Sequence, residues 1–436
     1  MFGVGQHWIP YSWSNEILFA WLDKTWGLKG LLIAQASLAV ILVFLFMWVA
    51  SKIARDYFFG ALLGIFIATA SQSHYTLRPQ SLTWGLLVLM LLAADVVARE
   101  GLSKGRIAAI TVLSSLWANA HITAILGVGM AALWALDHTR SKEENLRNGF
   151  GVFFSGVVGC FLTPHFGAEI ITLLSKAGHP MSFTTVAEFQ PAQITHYSVA
   201  ILVIGLSLFC LFLHLRPKSL SLSRIIVVSV TTVAGLAVVK FLPMAAVALA
   251  LGLATMWRER ATDPSAFKEL GEAFSKLSEL YQTKLRGQGF AVLLVALVIL
   301  QFSRLSEAQK ATVLLPTKAV DFMIENNMKG PVLNLFGDGG YLMYRYSDSE
   351  GNPKMLVPID GRTNVIPPEL MVKYGKALRG QLGWHEYIDA VKPETILWRT
   401  EGPLVAILNE RKDWKMVYKD GTDEKGHVVF QRVPSL

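Results

Sequence analysis

Apolar runs of membrane-spanning length alternate with short polar segments along most of the chain. The runs lie at about residues 30–50, 57–72, 81–98, 107–118, 121–137, 149–163, 197–214, 225–239, 243–257 and 288–302, each built mainly from Leu, Val, Ala, Ile and Phe. Around 20 apolar residues carry a helix across a ~30 Å hydrocarbon core, so the pattern predicts about ten crossings, some of them short. The stretch 107–136 is the most informative. As one helix it would run to about 45 Å at ~1.5 Å per residue, too long for an upright span. Asn119 and His121 interrupt it, which predicts two short helices meeting at a polar corner. A second such corner falls at Lys240, just before Pro243. Non-helical backbone at membrane depth survives only where protein or a water-filled cavity covers it, so these corners predict a cavity.

Beyond about Ser303 the period changes to that of a soluble α/β domain. Helices are expected over 318–327 and 369–380. Strands are expected over 331–335, 354–358, 394–399, 414–418 and 427–432. Between the two parts, 263–286 places Phe267, Leu270, Phe274, Leu277 and Leu280 at helical spacing among charges, the signature of an amphipathic surface helix. At the start, four tryptophans within 26 residues read as an interfacial belt segment rather than a signal peptide. The expected domains are therefore 1–302, transmembrane with an interfacial N-terminal helix, and 303–436, α/β.

Composition agrees with this division. The 436 residues are 53% hydrophobic and only 17% charged, which excludes an ordinary soluble protein. The net charge of +8 would suggest nucleic acid in a soluble chain. Here Lys and Arg gather in every second short loop, around Lys52, Arg99, Arg147, Arg224 and Arg258, which is the positive-inside pattern of a membrane protein and not a nucleic-acid footprint. That rule turns both polar corners, the loop 164–196 and the C-terminal domain outward. It also turns the N-terminus outward, and because no signal sequence carries it there, the expectation is that the segment rests on the outer leaflet or, the favoured reading, that an upstream span is missing. Cys160 and Cys210 both lie in apolar spans and suggest neither a disulfide framework nor a metal site.

The outward segments hold the candidate chemistry. Arg78 stands against the charge bias, beside His74 and before the helix-starting Pro79, and suits a phosphate or pyrophosphate; its bland role is snorkelling to headgroups. Lys240 ends one apolar span and offers a second cation. Asn119 and His121 either line the same site or merely cap and cross-link two helices. The loop 164–196 contains His165, Glu169, His179, Glu188 and His196 in no metal-binding spacing, and an apolar, amide-rich setting suits Glu188 to general-base work. A divalent metal is possible on these residues and no cofactor is assigned. In the tail, 337–341 and 358–362 read as turns, with Asp360 and Arg362 as an internal ion pair.

Taken in order, Gly5-Gln6-His7-Trp8, Trp13-Ser14-Asn15-Glu16, Leu77-Arg78-Pro79-Gln80, Leu116-Trp117-Ala118-Asn119-Ala120-His121, Val186-Ala187-Glu188-Phe189-Gln190-Pro191, Gly339-Gly340-Tyr341 and Asp360-Gly361-Arg362 resemble the GT-C type membrane glycosyltransferases. The resemblance implies an α-helical polytopic fold of the bacterial inner membrane with a small extracytoplasmic α/β domain. It implies an outward cavity in which a polyprenyl-phosphate-linked sugar donor meets a glycan, lipid or protein acceptor, within membrane lipid and without nucleic acid. Arg78, His74, Asn119, His121 and Lys240 would then bind substrate, and Glu188 or Glu16 would be the catalytic base. The class carries an upstream span and an acidic loop residue that this chain lacks, which leaves Glu16 as its only early carboxylate. A lipid-linked sugar flippase and a non-catalytic scaffold subunit are the other readings.

Overall fold

The computed structural model describes residues 9–136, 141–177, 189–193, 195–215, 219–259, 315–348, 354–362, 366–421 and 426–433, with isolated positions between 272 and 280. The expected span 288–302, most of the amphipathic segment 263–286, and Glu188, His179 and His7 lie outside the described residues. The described residues fall into two compact units, a helical one running from Ile9 to Ser175 and on from Phe189, and a C-terminal one.

The helical unit opens with α1 (Trp13–Ala54), followed by α2 (Tyr57–Ala70), α3 (Pro79–Glu100), α4 (Lys104–Ala120), α5 (Ala124–Trp134), α6 (Lys142–Phe161), α7 (Ala168–Ala177), α8 (Tyr197–Leu215), α9 (Leu222–Ala237) and α10 (Leu242–Glu259). Four stretches are long and apolar enough to cross a membrane: α1, α3, α8 and Val239–Glu259. Three shorter apolar helices, α2, α5 and α9, accompany them. These make the chain a membrane-associated protein; among the described residues four helices have spanning length, and the expected count of about ten crossings is not confirmed.

Straight, α1 would exceed 60 Å at ~1.5 Å per residue, about twice the hydrocarbon thickness. It kinks at Gly27, whose backbone (φ 61°, ψ −158°) suits only a residue without Cβ. The arm before the kink exposes Ile17, Trp21 and Trp26, as expected of an interfacial segment. After the kink α1 packs on α2 with almost no gap: a Cβ on Gly60 or Gly64 would lie 2.3–2.4 Å from Ser51 or Met47. Small residues allow such close helix approach where lipid supplies no hydrophobic drive between helices. α10 is the central post, buried along nearly its whole length, as its Ala- and Leu-rich sequence, apolar on all sides, requires.

Both expected corners are present. α4 ends at His121 in extended backbone and α5 begins after Thr123. α9 ends at Val238, and a 3-10 turn, Val239–Phe241, leads into α10. The loop expected over 164–196 is partly helical, because 168–177 forms α7.

The C-terminal unit contains α11 (Thr317–Glu325), β1 (Val332–Leu333), α12 (Gly339–Arg345), α13 (Pro368–Leu378), α14 (His385–Val391), β2 (Thr395–Arg399), α15 (Pro403–Asn409), β3 (Trp414–Lys419) and β4 (His427–Arg432). Its sheet has the order β1-β2-β4-β3, with β1 parallel to β2 and the other pairs antiparallel. Alternation of side chains builds two layers of core. Leu333, Ile396, Trp398, Val428 and Phe430 meet α13, α14 and α15 on one face, while Val332, Leu397 and Val429 meet α11 on the other.

Two expectations here are corrected. The segment 354–358 is not a strand; it is joined to β1 by a hydrogen bond from Val332 N–H to the Leu356 carbonyl at 3.2 Å. Pro353 precedes it and Pro358 ends it, and neither can donate to a ladder. The segment 337–341 is a turn only at its start, where Asp338 N–H meets the Leu335 carbonyl at 3.0 Å. From Gly339 it is helix, and a Cβ on Gly339 would lie 2.2 Å from the Ile359 carbonyl. This brings Gly339-Gly340-Tyr341 against Asp360-Gly361-Arg362, where Arg362 Nη2 sits 2.6 Å from Asp360 Oδ2.

Candidate functional site: a cationic cavity at the second corner

The start of α3 is set by Pro79, which holds Arg78 in extended backbone (φ −126°, ψ 151°) just outside the helix. The preceding loop folds back on the helix: the Ser81 hydroxyl lies 2.9 Å from the His74 carbonyl and 2.6 Å from that of Thr76. The second corner is strapped by residues 189–193. Val239 N–H donates to the Gln190 carbonyl at 3.0 Å and Ala192 N–H to the Leu236 carbonyl at 2.9 Å. The Gln80 amide donates to the Lys240 carbonyl at 3.3 Å and so ties the start of α3 to this corner. Local sequence makes each piece, and these three cross-links make the site.

Between them lies a cavity of about 400 Å³, lined by His74, Arg78 and Trp84 from one side, Gln190 and His196 from another, and Lys240 from the third. Lys240 Nζ stands 5.0 Å from the centre of the Phe189 ring, within cation–π range. Burial pushes the His74 imidazole down to about 4, and the neighbouring charges of Lys240, Arg78 and His196 push the same way against a backbone hydrogen bond at Val239. His74 is therefore neutral at physiological pH. Two basic side chains and a neutral imidazole are thus the charged and titratable groups of the described lining, with His196. The described lining contains no carboxylate.

Of the residues singled out in the sequence, His74, Arg78 and Lys240 meet in this cavity. Asn119 and His121 do not line it. Asn119 accepts from Trp13 Nε1 at 2.9 Å and donates to the Ser115 and Leu162 carbonyls at 2.8 and 2.9 Å. His121 Nδ1 lies 2.9 Å from the Thr123 hydroxyl, and its ring meets Tyr11 edge-on at 6.2 Å. These contacts cross-link helices at the first corner. Tyr11 connects the two corners electrostatically: burial raises its pKa, Lys240 lowers it, and Glu16 raises it. Glu16 is exposed on the first turn of α1. Glu188 lies outside the described residues.

His196, named with the loop 164–196, lines the cavity from the entry to α8. Two features escaped the sequence reading. Trp84 lines the cavity from an apolar span where nothing local distinguishes it. Asp95, on α3, is fully buried, with Arg224 Nη1 at 3.2 Å, Arg258 Nη1 at 2.9 Å and Arg99 Nε at 2.9 Å. A lone carboxylate inside an apolar span was the available signal for it. Among the described residues no three His, Cys, Asp or Glu side chains group to hold a metal ion. No family model matches this chain, and no curated protein matches it.

Proposed function

We propose that this protein is a GT-C-like membrane glycosyltransferase of the bacterial inner membrane, with the cavity and the C-terminal domain facing outward. The observation that carries the proposal is the meeting of Arg78 and Lys240, from separate corners, with neutral His74 in one cavity. Such a set suits the phosphate of a polyprenyl-phosphate-linked sugar. In the reaction an acceptor hydroxyl attacks the anomeric carbon, a carboxylate takes its proton, and the bond from that carbon to the phosphate oxygen breaks. The electron pair leaves with polyprenyl phosphate, whose growing charge the two cations stabilise. Glu188, two residues before Gln190 of the cavity wall, is the assigned base, and Glu16 is the alternative.

A second reading is a protein that binds the lipid-linked sugar without transferring it, as a flippase or scaffold subunit would. The absence of a carboxylate from the described lining favours it. One experiment separates the two: binding and turnover of a radiolabelled polyprenyl-phosphate sugar by the purified full chain, beside Arg78→Ala and Glu188→Gln. Transfer lost in Glu188→Gln with binding retained supports the enzyme. Arg78-dependent binding with no turnover by the unaltered chain supports the second reading, and binding indifferent to Arg78 removes both.

A further inference from the structure

The first turn of α3 is tied from two sides. Gln80 reaches the second corner through the Lys240 carbonyl at 3.3 Å. Pro79, which directly follows Arg78, is reached from the other side by Asn15 in the first turn of α1. Asn15 is 3% exposed, and its side-chain amide donates to the Ala120 carbonyl at 2.7 Å and to the Pro79 carbonyl at 3.4 Å. One acceptor ends α4 at the first corner, and the other is the first residue of α3. A carboxylate donates nothing and a hydroxyl donates once, so a short side chain that serves both carbonyls is an amide. The preceding residues fasten α1 to the first corner: Ser14 Oγ donates to the Asn119 carbonyl at 2.7 Å and Trp13 Nε1 to Asn119 Oδ1 at 2.9 Å. Of these three residues, Asn15 is the one that also reaches α3.

We propose that Asn15 is a positioning residue for the phosphate site read above, an inference that rests on that reading: by joining the end of α4 to Pro79, it fixes the backbone of Arg78 and with it the spacing of the two cations that line the cavity. The dipeptide 78–79 has little of its own to hold it in place. Pro79 has no N–H, and Arg78 N–H spends its bond on the Thr76 carbonyl at 2.8 Å within the same loop. A charge-assisted contact is good only over a few tenths of an ångström, so a small drift of this turn weakens the grip on a phosphate. Trp13 and Ser14, seated on Asn119, hold the turn of α1 that carries Asn15. The first corner thereby bears on the cavity without lining it.

The test measures binding of radiolabelled polyprenyl phosphate to the purified full chain. Asn15→Leu keeps the side-chain size and removes both donors. It is expected to weaken binding about three- to tenfold, a part of the roughly 10- to 100-fold loss expected of Arg78→Ala. In an Arg78→Ala background the same change should cost nothing further, because a residue that acts through Arg78 then has nothing left to position. Ser14→Ala removes the bond to the Asn119 carbonyl at the same corner and should bind as the unaltered chain does. Should Asn15→Leu not fold, Asn15→Ala takes its place with the same outcomes expected. No loss in the Asn15 variant, an undiminished loss in the Arg78→Ala background, or an equal loss in Ser14→Ala overturns the positioning role while Arg78-dependent binding stands. Binding indifferent to Arg78 overturns this inference together with the reading beneath it.

Discussion

Arginine does opposite work at two places in the helical unit. Around Asp95, three guanidiniums from α3, α9 and α10 converge on one carboxylate, the Asp95 side chain 0% and Arg224 1% exposed. In the cavity, Arg78 is exposed and shares its space with Lys240, and no carboxylate faces them among the described lining residues. The first set is gathered on one carboxylate inside the protein and locks helices together. The second lines a cavity. A buried ion network contributes little net stability against an apolar core, but removing one partner strands the others, so the two sets must respond differently to loss of a charge.

The largest effect is expected at Asp95. Asp95→Asn keeps the shape and removes the counter-charge of buried Arg224 and Arg258, and should destabilise the helical unit by about 3–5 kcal/mol in denaturant unfolding in detergent. A change within ~0.5 kcal/mol would mean that the network is solvated, and the contrast with the cavity would collapse.

Asp338 tests the same contrast from the other side, as a buried carboxylate without a cage of arginines. It is 4% exposed, and burial raises its pKa to about 6 against a weaker opposing pull from Arg399. With the folded value above the unfolded ~3.8, stability is fully present below that pH and is lost as pH rises through about 6. Asp338→Asn should therefore stabilise the C-terminal unit above pH 7 by up to about 3 kcal/mol and have no such effect near pH 4. A stabilisation that does not change with pH would show that charge is not the cause.

In the cavity the expected loss is in binding rather than folding. Arg78→Ala should weaken phosphate-bearing ligands about 10- to 100-fold, as loss of a charge-assisted contact does. Its unfolding midpoint should stay within the ordinary range for an exposed substitution. A destabilised variant would assign Arg78 to the structural class with Arg224.

The smallest effect concerns His74. Its folded pKa of about 4 lies below the unfolded ~6.5, so the unfolded chain takes up the proton first and stability falls as pH drops through that window. With partial exposure screening the charges, the loss near pH 5 should be about 1 kcal/mol, and His74→Gln should flatten that slope. An unchanged slope in the variant would place the titrating group elsewhere.

The sequence by itself determined most helices of the helical unit, two helices of the C-terminal unit, the two polar corners and the four strands of the small sheet. These depend on local periodicity and on Pro, Gly and cap residues, whose effects reach only a few positions. It also supplied His74, Arg78 and Lys240 as candidates, because cations and imidazoles at the ends of apolar runs are conspicuous. Only the tertiary structure decided which polar groups meet. Asn119 and His121 looked equivalent to Lys240 in the chain, yet their hydrogen bonds close on Trp13, Thr123 and Leu162, while Lys240 faces a cavity. Asp95 lay hidden in an apolar span until Arg224 and Arg258 reached it, and Trp84 looked like any membrane tryptophan until the fold set it in the cavity wall. The physical reason is common to all three. Whether a buried polar group is structural or available depends on the group that satisfies it, and that group comes from a distant part of the chain.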